Sequence, residues 1–125
     1  MAAQLQTPAR SWTILVVDDN EDAAASVAQM LTLSGHKVDV AYNGMSALAK
    51  VRAGCPEVVL CDIGLPELSG YDFAKAVRRE CTRNIRLVAI SGYAQPEDVR
   101  RSIEAGFDAH VAKPAQQAEI ERWLV

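Results

Sequence analysis

Trp12-Thr13-Ile14-Leu15-Val16-Val17-Asp18-Asp19-Asn20 is the stretch on which the fold turns. Six β-prone, mostly apolar residues run on without the polar alternation of a one-sided strand, the pattern of a strand buried on both faces of a parallel sheet. The run then stops in two carboxylates and an amide. Four more β-prone runs follow, at residues 37–41, 58–61, 86–90 and 109–112. Between them the apolar residues take helical spacing: Ala23, Val27, Met30 and Leu31, then Ala47, Leu48 and Val51, then Phe73, Ala76 and Val77. Gly35, Gly54 and Gly106 are expected to end the first, second and fourth helices, and Pro96 to open the fourth in its first turn. Residues 116–125 are expected to form a last helix that turns Ile120, Trp123 and Leu124 inward.

Five strands alternating with helices predict an α/β fold, a (βα)5 doubly wound parallel sheet with right-handed crossovers and helices on both faces. Two sheet orders are compatible with the alternation. With one switch point the order is 2-1-3-4-5, which sets the carboxyl ends of strands 1 and 3 side by side, where such sheets bind ligands. Residues 12–125 are expected to be one domain, and the aperiodic, Ala/Gln-rich residues 1–11 a flexible leader or linker.

Half of the 125 residues are hydrophobic and 23% are charged, the profile of a globular chain able to bury a core. A net charge of −3 offers no basic footprint for nucleic acid, so direct nucleic-acid binding is not expected. No apolar run approaches the roughly 20 residues needed to cross a bilayer, and no secretory signal opens the sequence, which argues against membrane insertion and secretion. Cys55, Cys61 and Cys81 contain no C-x-x-C pair and leave an odd thiol, which fits a reduced, cytoplasmic setting. Cys61 reads as a small buried core residue and His36 as a turn residue. Trp12 and Trp123 are expected to pack at the two ends of the domain, and Arg78, Arg79, Arg100 and Arg101 to lie on solvated helix faces.

The chemistry gathers at the strand ends. Asp18 and Asp19 follow the first strand, Asp62 the third, Ser91 the fourth, and Lys113-Pro114 the fifth. The fold would bring these scattered groups to one crevice. Three carboxylates there repel one another, and a hard divalent cation resolves the conflict; oxygen ligands of this kind suit Mg²⁺. With a reference pKa of about 3.9, an aspartate is already ionised at neutral pH and can attack phosphorus without a general base. Lys113 and the cation can then stabilise the transferring group, and the Ser91 hydroxyl can donate to it. Singly, each feature has a plainer reading: Asp18-Asp19-Asn20 as a helix N-cap with favourable dipole charges, Ser91-Gly92 as a turn, Lys113 as a solvated lysine. Their joint placement favours function.

The motifs V-V-D-D-N, C-D-I-G-L-P-x-x-S-G, A-I-S-G-Y and A-K-P stand in order, and with them the chain resembles the response-regulator receiver family from residue 12 to residue 125. The resemblance implies a flavodoxin-like sheet. It implies Asp62 as phosphoacceptor, Asp19 as direct Mg²⁺ ligand, Asp18 acting mainly through a bound water, and the Gly64 carbonyl as a further ligand. Ser91 matches the switch hydroxyl, the Gly92 amide a phosphoryl contact, and Lys113 the phosphate-contacting lysine, joined to Pro114 by a cis bond. The family usually carries Tyr or Phe three residues before that lysine. Here the position is His110, whose imidazole could pivot inward and make signalling sensitive to pH. Gly64 and Tyr93, two residues beyond Asp62 and Ser91, border the site and bear on the lifetime of the phosphorylated form.

The expected partners are a sensor histidine kinase or a histidine phosphotransfer domain, and the stretches S-G-Y-A-Q-P-E-D-V-R and A-G-F-D-A-H-V-A-K-P resemble receivers attached to hybrid sensor kinases most. The expected activity is a switch and not enzymatic turnover. Phosphorylation of Asp62 would alter the face built from the fourth helix, fifth strand and fifth helix, and self-hydrolysis would reset it. Two other classes compete. A pseudo-receiver would keep the fold as an interaction module without using the phosphate site, against which the intact Asp18, Asp19, Asp62, Ser91 and Lys113 argue. A phosphatase of the haloacid dehalogenase type would need a second acid two residues after its nucleophile, where this chain has Gly64.

Overall fold

The computed structural model describes residues 10–81, 84–92 and 95–124. The chain alternates β1 (Thr13–Val17), α1 (Glu21–Leu33), β2 (Lys37–Ala41), α2 (Gly44–Gly54), β3 (Val58–Asp62), α3 (Gly70–Glu80), β4 (Arg86–Ser91), α4 (Pro96–Ala105), β5 (Ala109–Ala112) and α5 (Gln117–Glu121). All strand pairings are parallel and the order is β2-β1-β3-β4-β5. Val58–Val59–Leu60–Cys61 is buried throughout, as a central strand requires. At the edge, β2 instead alternates, with Lys37 and Asp39 exposed, and these charges discourage a further strand from adding there.

Side-chain alternation divides the core in two. Leu15, Val17, Val59, Cys61, Leu87 and Ala89 face α2 and α3, with Phe73 and Val77 among the residues packed against them. Ile14, Val16, Val58, Leu60, Val88 and Ile90 face the other way, toward Ala24 and Leu31 of α1 and Ile120 of α5. Burying a side chain such as fully covered Phe73 contributes about 1.5–3 kcal/mol. One-residue slippage of any strand would exchange the two faces, so the register is strongly specified.

Gly54 ends α2 as expected, and the left-handed cap after it is Cys55, at φ 44° and ψ 70°. Other local expectations need correction. The last helix is shorter than the sequence suggested. α5 stops at Glu121 and tightens into i→i−3 bonds, Trp123 N–H to Ile120 C=O and Leu124 N–H to Glu121 C=O. Ile120 and Leu124 are nevertheless buried and Trp123 half-buried. Trp12 and Trp123 do not sit at opposite ends: both line one hollow of about 630 Å³ at the amino ends of the strands, together with Glu57, Arg86 and Asp108.

Of the leader, residues 1–9 lie outside the described residues. Arg10 and Ser11 are held in place: Arg10 pairs with Glu57 and stacks over Trp12, and the Ser11 hydroxyl donates to the Gly35 carbonyl at 2.8 Å. His36 is buried, and its Nδ1 accepts the Trp12 N–H at 3.1 Å.

Arg78 is not a solvated helix residue. Its guanidinium donates to the carbonyls of Gly106 and Ile85, at 2.8 and 2.6 Å, and pairs with Asp108 at 2.9 Å. Asp108 in turn accepts the Leu87 N–H at 2.9 Å. One planar fork thus ties α3, the start of β4 and the turn before β5. That turn is made by Gly106, the left-handed cap of α4 at φ 119°, a conformation that suits a residue without Cβ.

Candidate phosphoryl-acceptor site

The crevice forms where β1 and β3 end. Ordinary helix starts account for part of the local sequence. Asn20 is the N-cap of α1, its side chain accepting the Ala23 N–H at 3.0 Å, and Ser69 caps α3 through the Asp72 N–H at 3.2 Å. The cap at α1 therefore falls on Asn20, and neither Asp18 nor Asp19 is consumed by it. Asp18 is 8% exposed and orients the turn with one oxygen, which accepts the Asn20 N–H at 3.0 Å.

Asp18, Asp19 and Asp62 each offer a carboxylate oxygen, and these atoms lie within 4.8 Å of one another. Asp62 Oδ1 accepts the Gly64 N–H at 3.1 Å. Its Oδ2 accepts from Lys113 Nζ at 3.2 Å, and the same ammonium reaches Asp18 Oδ2 at 3.3 Å. Burial works against the Lys113 charge, but Asp62 and Asp18 outweigh it and leave the ammonium with a pKa above the ordinary lysine value. Three carboxylates against one ammonium leave two negative charges in excess. Hard oxygen donors with that surplus fit a divalent cation such as Mg²⁺, and the cluster is one that could hold a metal.

Ser91 closes β4 and is buried, and its carbonyl accepts the Lys113 N–H at 2.9 Å, so the backbones carrying hydroxyl and ammonium are directly joined. Gly92 follows, exposed. The Lys113–Pro114 peptide is cis. Gly64 meets Asp62 through its N–H. Tyr93 lies outside the described residues.

His110 is directed elsewhere. Its Nδ1 lies 3.1 Å from the hydroxyl of fully buried Ser102 on α4. The same Ser102 hydroxyl donates to the Val99 carbonyl at 2.8 Å, which holds it within α4. The imidazole is therefore anchored to α4 in this conformation.

Two residues of this site carried no role in the sequence reading. Gly70, the last residue of the C-D-I-G-L-P-x-x-S-G motif, opens α3 directly on the peptide after Asp62: a Cβ there would lie 2.8 Å from the Asp62 carbonyl and 2.8 Å from Ile63 Cα. Its N–H also donates to the Ile63 carbonyl at 3.1 Å. The glycine after a capping serine was the available signal, although glycine there is also an ordinary helix-start residue. Ser102 gave no signal, because nothing local pairs it with His110.

Comparison with known proteins agrees with this architecture. The response regulator receiver domain family matches residues 14–124. The chain is 32% identical over 117 residues to the gliding motility regulatory protein of Myxococcus xanthus, covering 92% of this chain and 15% of that protein. It is 32% identical over 116 residues to the transcriptional regulatory protein PrrA of Mycobacterium tuberculosis, of which it spans about half, 49%, while 93% of this chain is covered. Among solved structures, a response regulator from Burkholderia pseudomallei, determined with a phosphorylated aspartic acid, a calcium ion and citrate, superposes with a TM-score of 0.84 at 29% identity. That likeness covers 92% of this chain and 67% of the other. With 111 consecutive residues matched and the β2-β1-β3-β4-β5 sheet in place, the chain belongs to the response regulator receiver domain family of two-component signalling.

Proposed function

We propose that this receiver is a phosphorylation switch in which Asp62 accepts a phosphoryl group from a phosphohistidine of a sensor kinase or histidine phosphotransfer domain. The observation that carries the proposal is the meeting of Asp18, Asp19, Asp62 and Lys113 at one sheet edge, with the Lys113 ammonium 3.2 Å from Asp62. An oxygen of Asp62 forms the new bond to phosphorus, the bond from phosphorus to the imidazole nitrogen breaks, and the product is an acyl phosphate. Asp18, Asp19 and Asp62, with the Gly64 carbonyl, would hold Mg²⁺, which when bound supplies neutralising charge to the transferring oxygens. Lys113 places a second positive charge beside the same oxygens, and the Ser91 hydroxyl and Gly92 amide supply hydrogen bonds. The solved relative with a phosphorylated aspartic acid and a divalent ion supports this reading.

The switch then follows from charge. A phosphoryl group adds roughly 1.5–2 negative charges, which draw Lys113 and Ser91 toward Asp62 and bias a two-state equilibrium. Through the Ser91 to Lys113 backbone bond the pull reaches β5 and, through His110 and Ser102, α4. The α4–β5–α5 face is accordingly the output surface, and the protein a resettable switch and not a turnover enzyme. A place within a hybrid kinase in the cytoplasm fits the motif resemblance. Among the described residues no helix is long and apolar enough to cross a membrane.

Intact mass after incubation with Mg²⁺ and acetyl phosphate tests the proposal. One phosphoryl addition, lost in Asp62→Asn and in a metal-free sample, is expected. Failure to accept phosphate from both acetyl phosphate and a phosphorylated histidine donor would instead favour a pseudo-receiver.

A further inference from the structure

We propose that Cys55 and Cys81 form a reversible dithiol–disulfide site that staples the carboxyl ends of α2 and α3. Their sulfurs lie 3.8 Å apart although 26 positions separate them in the chain. A disulfide spans about 2.05 Å, so closure needs less than 2 Å of approach, within reach of side-chain rotation and a small shift of two helix ends. Both residues cap their helices, Cys55 on α2 and Cys81 on α3. An ion pair of Arg52 and Glu80, with bonds of 2.7 and 3.0 Å, ties the same two helix ends beside them.

The backbone at Cys55 adds a second observation. At φ 44° it occupies the left-handed region that favours glycine. The glycine stands one residue earlier, at Gly54, inside the helix and with open space where a Cβ would be. The chain therefore sets a side chain at the disfavoured position, and that side chain is a thiol facing another thiol.

Access separates this pair from the third cysteine. Cys55 and Cys81 are half-buried and line a groove of about 300 Å³ with Leu48, Val51, Arg52 and Glu80. Cys61 is fully covered, with its sulfur 3.3 Å from the Asp62 carbonyl, so an oxidant in solution does not reach it.

A low-molecular-weight disulfide such as oxidised glutathione is the oxidant class. One cysteine loses its proton to solvent and its thiolate attacks a sulfur of the oxidant, giving a mixed disulfide and releasing one glutathione thiolate, which takes up a proton. The second cysteine thiolate then attacks the protein-side sulfur and releases the second glutathione. Two protein thiols are oxidised and one oxidant disulfide is reduced to two thiols. The closed ring contains β3, Asp62 and α3, while the sulfurs sit at the opposite, amino-terminal edge of the sheet from the carboxylates. The site is independent of whether Asp62 accepts phosphate.

The test is intact mass and thiol counting on the reduced full chain after incubation with oxidised glutathione. A loss of about 2 Da without a retained adduct, two of three thiols protected from iodoacetamide when alkylation is done in denaturant, a Cys55–Cys81 linked peptide, and reversal by dithiothreitol are expected. Cys61→Ser is expected to close identically, whereas Cys55→Ser and Cys81→Ser retain a glutathione adduct of about 305 Da. Wild-type protein that keeps all thiols reactive, holds a stable glutathione adduct, or links only between chains overturns the proposal, whatever the variants do.

Discussion

Neutralising Asp19 by Asp19→Asn should stabilise the metal-free protein and at the same time remove its response to Mg²⁺. Asp19 is exposed, and its carboxylate lies within 4.8 Å of those of Asp18 and Asp62. At 4.8 Å and an effective dielectric constant of roughly 40, each like-charge pair costs about 1.7 kcal/mol. Lys113, bonded to the other two carboxylates, cancels part of that repulsion. Removing the charge also forfeits about 0.3–1 kcal/mol of favourable interaction with the amino end of α1. The balance favours the variant by about 1 kcal/mol in chelator, a rise of about 4 °C in Tm for a chain of this size.

Bound cation inverts the ranking. At a Mg²⁺ concentration of about 100 times Kd, the wild type gains about 2.7 kcal/mol by linkage, and a variant lacking one ligand gains far less. Urea unfolding of both proteins, with chelator and across a Mg²⁺ series, should give curves that cross. A variant less stable than wild type in chelator, with an unchanged Mg²⁺ response, would refute the reasoning and leave Asp19 as a helix-dipole residue only.

Arg78→Met should cost about 2–3 kcal/mol in urea unfolding, because it strands the Gly106 and Ile85 carbonyls and Asp108, and Arg78→Lys should recover only part, since an ammonium cannot make the three-way fork; losses under 0.5 kcal/mol in both would discount the clamp. Gly70→Ala must displace the peptide after Asp62, so it should destabilise by about 1–3 kcal/mol and slow phosphorylation by acetyl phosphate, and wild-type values of both would contradict the close approach. His110→Ala should alter phosphorylation-dependent partner binding while leaving the stoichiometry of phosphorylation intact; unchanged binding counts against a switch role. The Glu57 carboxyl is held below the usual range by the Thr13 N–H and by Arg10, so its contribution exists above the unfolded pKa and is lost as pH falls through the folded one. Half-exposed as it is, Glu57→Gln should cost a few tenths of a kcal/mol near pH 7, and the two proteins should converge once the pH has fallen below the lowered pKa of the folded carboxyl.

The fold was legible because its central strands are apolar on both faces, a signal that survives without any knowledge of neighbours. Val58 to Cys61 could hardly be anything but an inner strand, and the glycines and Pro96 punctuated the helices. The crevice was legible for a topological reason: residues immediately after parallel strands share one edge once the order is set, so Asp18, Asp62 and Lys113 needed no contact information to be assembled. What was hidden depends on side-chain reach. Arg78 reads as one more helix arginine until the Gly106 and Ile85 carbonyls are placed beside it. Cys55 and Cys81 share no motif, and the left-handed cap falls one residue beyond the glycine that advertised it. His110 departs from the family pattern in plain view, yet its anchor Ser102 is fixed only by the packing of α4 on β5.

The bare glycine at position 70 places the start of α3 directly beside the peptide that follows Asp62. Only the absence of a side chain at Gly70 lets the helix start come this near the peptide that follows the aspartate, since a Cβ would lie 2.8 Å from the Asp62 carbonyl. The 3.1 Å hydrogen bond from the Gly70 N–H to the Ile63 carbonyl ties the two together. The junction therefore leaves a displacement of that peptide toward α3 little free space to take up.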